Sequence, residues 1–337
     1  MFGYYLDLAI HSLKRNPVLT ALMVLAIGLG IGASMTMITV LHVMTDDPLP
    51  GRSAQLFTPH LDPLPPDFTP AAYSTDPSDN FAWQDAMALL HAHREVRQAA
   101  MAGGTLLVWP QRTDLRPFYV DGRYTTADFF AMFGLTFVQG SGWTAEGDVA
   151  RAHVVVLNQM LAHKLFGTKD ALGGAVKLGD NDYRVIGVTA DWHPQPMFYT
   201  DAGHHYDDAD QFFLPLATAV DLKLQVNGNV SGWGKDDSPD TLTSATTSWL
   251  QFWAQLDTPA QVAAYRQFLI DYSAQQKALG RFQRPATNAK LYSMMGWLDH
   301  ENLVPGDVRL QLWLALGFLF VCMVNIVALL LAKFLRR

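Results

Sequence analysis

PVLTALMVLAIGLGIGASMTMITVLHVM, residues 17–44, and LQLWLALGFLFVCMVNIVALLLA, residues 310–332, decide the architecture of this 337-residue chain. Neither stretch contains Asp, Glu, Lys or Arg. A helix needs roughly 20 apolar residues to cross about 30 Å of hydrocarbon, where no water can satisfy an open backbone group. Both stretches meet that length, the first with residues to spare for tilt or for continuing past the membrane. A secretory signal is the competing reading of the first, because Lys14 and Arg15 precede it. The apolar core of such a signal is roughly 7–15 residues long and ends at a small-residue cleavage site. This run is longer, and no such site follows. A buried core helix competes for the second, but its length and near-continuous apolarity favour a span.

Flanking charge orients the spans. Lys14 and Arg15 precede the first, and Asp46 and Asp47 follow it. Asp307 and Arg309 precede the second; Lys333, Arg336 and Arg337 follow it. Basic residues gather on the cytoplasmic side. Both termini are therefore expected in the cytoplasm, with residues 45–309 outside. In residues 1–16, Phe2, Leu6, Ala9 and Leu13 recur at helical spacing, with Asp7, Ser12 and Lys14 largely elsewhere. That pattern predicts an amphipathic helix along the cytoplasmic membrane surface. Asn16 can cap the next helix and Pro17 suits its first position. Gly28, Gly30 and Gly32 are no dinucleotide loop, since no strand precedes them; Gly28-x-x-x-Gly32 reads as a close helix-packing face. Asn325 must find a partner on another helix or line a polar gap.

Hydrophobic residues make up 50% of the chain and charged ones 16%, against about 25% charge in a soluble protein. The deficit sits in the two spans. A net charge of −7 argues against nucleic acid as a partner. Cys322, in the second span, is the only cysteine, so residues 45–309 hold neither a disulfide nor a cysteine metal site.

Between the spans the pattern is mixed. Residues 48–77 are rich in Pro, Asp, Ser and Thr, which predicts extended or irregular segments. A helix is expected from Asn80 to about His93, capped by Asp79 or Asn80, with Phe81, Trp83, Met87 and Leu90 apolar. Strands are expected at Thr105–Trp109, Phe118–Val120, Val154–Leu157, Tyr183–Val188 and Ser248–Leu256, and a short helix at Asn158–Phe166. Asp257-Thr258-Pro259 marks a helix start, with Val262, Tyr265, Phe268, Leu269 and Tyr272 on the apolar side of a helix reaching Leu279. Residues of about 45–125 and 240–309 read as one α+β part built from both ends of the loop. Residues of about 126–239 read as a β-rich insertion. The expected fold class is a membrane protein in which two transmembrane α-helices flank an α+β extracytoplasmic domain with a β-rich inserted subdomain. The expected boundaries are 1–16, 17–44, 45–309, 310–332 and 333–337.

The passage YTTADFFAMFGLTFVQGSGWTAEG (124–147) and AHVVVLNQMLAHKLFGTKDALGGAVKLGDNDYRVIGV (152–188) resembles the periplasmic core domain of MacB/FtsX-type ABC transporter permeases. Phe129–Gly140, Val154–Gly167, Ala171–Leu178 and Tyr183–Val188 match the family pattern in residues and spacing. Leu8–Thr20, Ile27–Ala33 and the C-terminal VCMVNIVALLLAKFLRR extend the likeness to both ends. The resemblance implies a permease that works as a dimer with a separate or fused ABC ATPase, a second permease copy and, in some members, a periplasmic adaptor. It implies mechanotransmission: ATP hydrolysis moves the external domains for export or efflux, and the substrate need not cross the lipid. Lys14, Arg15, Lys333, Arg336 and Arg337 would form the cytoplasmic face near the ATPase. Family members usually have four spans; a chain ending at Arg337 is then expected to be a fragment or a truncated relative.

Motifs for chemistry are sparse. The sequence has no G-x-x-x-x-G-K-[ST] loop, so ATP hydrolysis is expected on a partner chain. It has no H-E-x-x-H and no G-x-S-x-G. No catalytic residue or cofactor is expected. In DWHPQPMFYTDAGHHYDDAD (191–210), His193, His204, His205 and Asp207 are the weak candidates for a metal, but their spacing fits no motif and a solvated loop is the simpler reading. The same histidines could sense pH. Trp192, Phe198 and Tyr199 suit the core better than a partner surface. Two alternatives stay open: a non-transporting regulator or envelope scaffold, and a membrane-anchored metal-dependent enzyme resting on the 191–210 cluster alone.

Overall fold

The computed structural model describes residues 17–69, 79–92, 96–167, 170–201, 204–234, 242–301, 303 and 306–335. The surface helix expected over residues 1–16 lies outside them, as do Lys14, Arg15, Arg336, Arg337 and the side chain of Lys333. The chain forms two units, one made of its terminal segments and the other of Asp47–Glu301.

The terminal unit contains α1 (Pro17–Thr45) and, at the C-terminal end, the long apolar helix Gly306–Leu335. Val24–His42 has a mean hydropathy of 2.1 and Leu310–Ala328 one of 2.2, with 11% and 6% of those windows buried. A core helix of a soluble protein would be mostly covered, so these surfaces are built for lipid. The two helices touch through small residues. Ser34 Oγ donates to the Ala315 carbonyl at 3.3 Å, and a Cβ on Gly30 would stand 3.1 Å from Leu319. Cys322 is buried in the same unit.

The Asp47–Glu301 unit is organised by a twelve-stranded sheet. In chain order its elements are β1 (Leu56–His60), β2 (Phe81–Ala82), α2 (Trp83–Ala92), β3 (Gln98–Trp109), β4 (Phe118–Thr125) and α3 (Asp128–Phe133). Then come β5 (Phe137–Gly140), α4 (Ala145–Val149), β6 (Val154–Asn158), α5 (Gln159–Phe166), β7 (Ala175–Leu178) and β8 (Asn181–Thr189). The remainder is β9 (Phe212–Pro215), α6 (Leu216–Asp221), β10 (Ser231–Gly232), β11 (Thr247–Gln255), α7 (Pro259–Ala278), β12 (Lys290–Ser293) and α8 (Met294–His300). The C-terminal apolar helix is α9.

The sheet runs β12-β1-β11-β3-β4-β9-β6-β8-β5, with β2 and β10 pairing β11 and β7 pairing β3 and β8. Strands from the front, middle and back of the loop thus share one ladder. The join is a parallel pair, Gly122 opposite Phe212 and Thr125 opposite Pro215. β11 is buried along nearly its whole length, which explains a run too apolar to alternate. The start of α7 is fixed by a capping box between Thr258 and Gln261. Its Tyr265, Leu269 and Tyr272 are buried, and Val262 and Phe268 pack partly buried against the same core. Asn158 accepts from the Leu161 N–H at 2.8 Å and caps α5.

Candidate interaction groove

Helix α2 has two apolar stripes. Ala86 and Leu89 are fully buried in the core. Trp83, Met87 and Leu90 repeat at helical spacing one step round and are half-buried. This second stripe forms the floor of a groove of about 990 Å³, together with Val96 and Leu216. The opposite wall is α4 and the turn before it, from Trp143 to Arg151. Small-molecule sites fall in the range of roughly 300–1,000 Å³, so the groove can hold a drug-sized ligand or a short stretch of polypeptide.

The rim carries Asp128 and Glu146, both exposed, and Asp148. Arg151 on the same rim is paired with Asp221. Asp148 ties the wall together: its Oδ1 accepts from Trp143 Nε1 at 2.7 Å and its Oδ2 from the Ala127 N–H at 2.8 Å. Burial pushes this carboxyl up to about 6, against those two donors. Gln98, at the base, donates to the Leu89 carbonyl and accepts from Tyr265, which fixes the groove to α2 and α7. An apolar floor under an acidic rim can receive an apolar group that carries positive charge.

Of the residues read from the sequence as a site, the structure brings few together. His193 Nε2 lies 2.9 Å from the Asp207 carbonyl. His204 Nδ1 is 2.6 Å from Asp207 Oδ2 on the surface. His205 turns inward, only 5% exposed. Among the described residues no group of three His, Cys, Asp or Glu side chains can hold a metal ion. Asn80 does not cap α2; its amide donates to Asp201 Oδ1 at 2.8 Å. In α1, Gly28 and Gly32 have nothing within 4 Å of an added Cβ, and Gly30 makes the contact with the other helix. Asn325 is exposed on α9.

The aromatic signature Phe129, Phe130 and Phe133 is buried. Phe129 packs on Tyr199 and Phe213, and Phe133 on Phe198, with ring centroids 5.7, 5.5 and 5.0 Å apart. Phe198 in turn meets Trp253 of β11 at 5.0 Å. Phe198 and Tyr199 are core residues as expected, and they seat the 191–210 segment between α3 and β11. Beneath them Arg123 and Asp210, 6% and 5% exposed, form an ion pair at 3.1 Å.

A family model described as MacB-like periplasmic core domain matches residues 20–271. No curated protein matches the chain. Among solved structures, it is similar to the periplasmic region of MacB from Actinobacillus actinomycetemcomitans, with 15% identity and a TM-score of 0.45 over 72% of this chain and 91% of that one. It is also similar to the extracellular domain of the noncanonic ABC-type transporter YknZ from Gram-positive bacteria, with 14% identity and a TM-score of 0.40 over 65% of this chain and 95% of that one.

Proposed function

The chain belongs to the MacB-like periplasmic core domain family, and from that premise we propose that it is the membrane subunit of a MacB-type ABC transporter. A partner ATPase supplies the energy. Hydrolysis moves the Asp47–Glu301 domain outside the cytoplasm, and that movement drives export or efflux. The observation that carries this reading is the order of parts: the family match runs from residue 20 in α1 to residue 271, and the Asp47–Glu301 unit lies in the chain between two helices, each long and apolar enough to cross a membrane. Force applied to either helix therefore reaches the domain through the chain itself.

In this reading both termini face the cytoplasm, and Lys14, Arg15, Lys333, Arg336 and Arg337 lie nearest the ATPase, as the basic flanks favour. Two copies assemble. Gly28 and Gly32, open in the isolated chain, let a neighbouring helix approach closely, and Asn325 finds its hydrogen-bond partner there. The α2–α4 groove is the surface that meets what is moved.

The test is co-purification of the full chain with its ATPase in detergent or nanodiscs. ATP turnover that changes when the chain is added supports the proposal. An ATPase that neither binds nor responds overturns it.

A further inference from the structure

Trp83, Met87, Leu90 and Val96 in the floor of the α2–α4 groove are only half-buried, and Val149 on the facing wall is 83% exposed. Contiguous apolar surface with a polar rim marks an interaction site. The floor is also stiff. Trp83 lies parallel to Trp249 of β11, with an interplanar angle of 5° and ring centroids 6.4 Å apart. Gln98, at the base, is bonded to both α2 and α7. A preformed cleft loses little ordering entropy when it is filled.

The rim carries negative charge that its own donors do not neutralise. The Gln98 N–H donates to Asp128 Oδ2 at 3.3 Å. The Thr144 hydroxyl donates to Glu146 and holds its carboxyl below the usual range, so it is ionised. Asp148 takes its two hydrogen bonds from Trp143 Nε1 and the Ala127 N–H. All four donors are neutral. Arg151 on the same rim is paired with Asp221, and His91 Nδ1 lies 2.6 Å from the Met87 carbonyl. Residues 93–95, between α2 and Val96 in the chain, hold one Arg and one Glu, whose charges cancel.

An occupant must cover the floor and answer the rim together. An anion would be repelled by the carboxylates. A hydrophilic cation would leave the floor in water. A neutral apolar molecule would take solvent from the carboxylates and give nothing back. An apolar body that bears a positive charge meets both demands, and the Trp83 ring adds its own attraction for a cation. The groove's volume of about 990 Å³ sets the upper size of such a molecule.

We propose that the α2–α4 groove binds an amphipathic organic cation, an aromatic or aliphatic body with one onium or amine charge. The body sits on Trp83, Met87 and Leu90, and the charge faces Asp128 and Glu146. This assignment rests on the reading of the groove as the surface that meets what is moved, and it names the chemical class taken there.

Equilibrium dialysis of the full chain in a neutral detergent tests it, with no ATP and no partner. The probes are tetraphenylphosphonium and tetraphenylborate, one shape with opposite charges, each corrected for uptake by empty micelles. Wild type should bind phosphonium about tenfold tighter than borate, the range open to two exposed ion pairs. Asp128→Asn with Glu146→Gln, both at exposed positions, should weaken phosphonium binding about tenfold and leave borate no weaker. Equal binding of the two probes would mean a neutral apolar occupant and overturns the proposal. Absence of saturable phosphonium binding, the result if a polypeptide or a second copy of the chain fills the groove, overturns it as well. A folded double variant that binds phosphonium as wild type does overturns it too, because the ion then sits elsewhere. If that variant misfolds, the borate comparison alone decides. No ATPase takes part, so failure here leaves the transporter reading standing, and failed co-purification leaves this result standing.

Discussion

Asp148→Asn perturbs the groove wall at its one strongly shifted carboxyl. Burial lifts Asp148 from 3.8 to about 6 in the folded domain. The unfolded chain titrates at the ordinary value. Between the two, the folded state keeps a proton that the unfolded state has released. Stability therefore falls as pH rises through that window and is flat above it. The displacement corresponds to roughly 3 kcal/mol, trimmed to about 2 kcal/mol because solvent still reaches the half-buried carboxyl. The asparagine has nothing to titrate, so this fall should vanish. It can also accept well from only one of Trp143 Nε1 and the Ala127 N–H, which costs about 1 kcal/mol relative to the ionised carboxylate, above about pH 6. Urea unfolding of the full chain in detergent, followed by tryptophan fluorescence from about pH 4 to about pH 7, gives both numbers. Stability curves for wild type and variant that run parallel across that range would refute the reasoning, because the carboxyl would then be as solvated in the fold as out of it.

Met87→Lys or Leu90→Glu in the groove floor should change unfolding free energy by no more than about 1 kcal/mol, yet reduce export about tenfold if the floor meets cargo; equal loss of stability and export would mean the stripe serves only the fold. Arg123→Met strands the buried Asp210 carboxylate and should cost about 3–5 kcal/mol, whereas Arg123→Met with Asp210→Leu should recover most of it in the same unfolding assay. Gly30→Leu should force α1 off Leu319 and lower the detergent melting temperature. Gly28→Leu should leave the isolated chain unaffected and instead reduce the dimer fraction seen by crosslinking. Cysteine labelling of intact cells at Tyr119→Cys, an exposed position, should succeed with an impermeant reagent, and failure would place the domain in the cytoplasm.

The spans were legible because hydrocarbon imposes a length and forbids charge, and both constraints are local. Much of the interior was legible for a similar reason: Asp257-Thr258-Pro259 marks the start of α7, where the structure has a capping box, and Asn158–Phe166 reads as the short helix that Asn158 caps. Long-range pairing was not. Front and back of the loop read as one part and the middle as another; β4 and β9 pair in parallel across 90 positions of chain, from Gly122 to Phe212, and no local pattern records which strands become neighbours. The groove escaped notice although its floor residues were read as apolar. Its signal was an arc on α2 too wide for one interface, with Trp83, Met87 and Leu90 beside Ala86 and Leu89. The burial of His205, named from the sequence only as a weak metal or pH-sensing candidate, escaped for the opposite reason. A run rich in His and Asp reads as solvated, and only the reciprocal bonds with Met197 turn that ring inward.

β1 follows α1 and β12 precedes α9 in the chain, and the two strands are antiparallel neighbours, Phe57 opposite Ser293 and His60 opposite Lys290. The chain thus enters β1 and leaves β12 at the same end of one ribbon. A pull that parts these two leads would peel the ribbon open rung by rung, the weakest way to load a ladder, because each hydrogen bond bears the tension alone. A stroke that carries both leads together strains none of the rungs and hauls the whole sheet as a single piece. The weave of the strands therefore withstands loads that carry the leads in unison and yields to any that spread them.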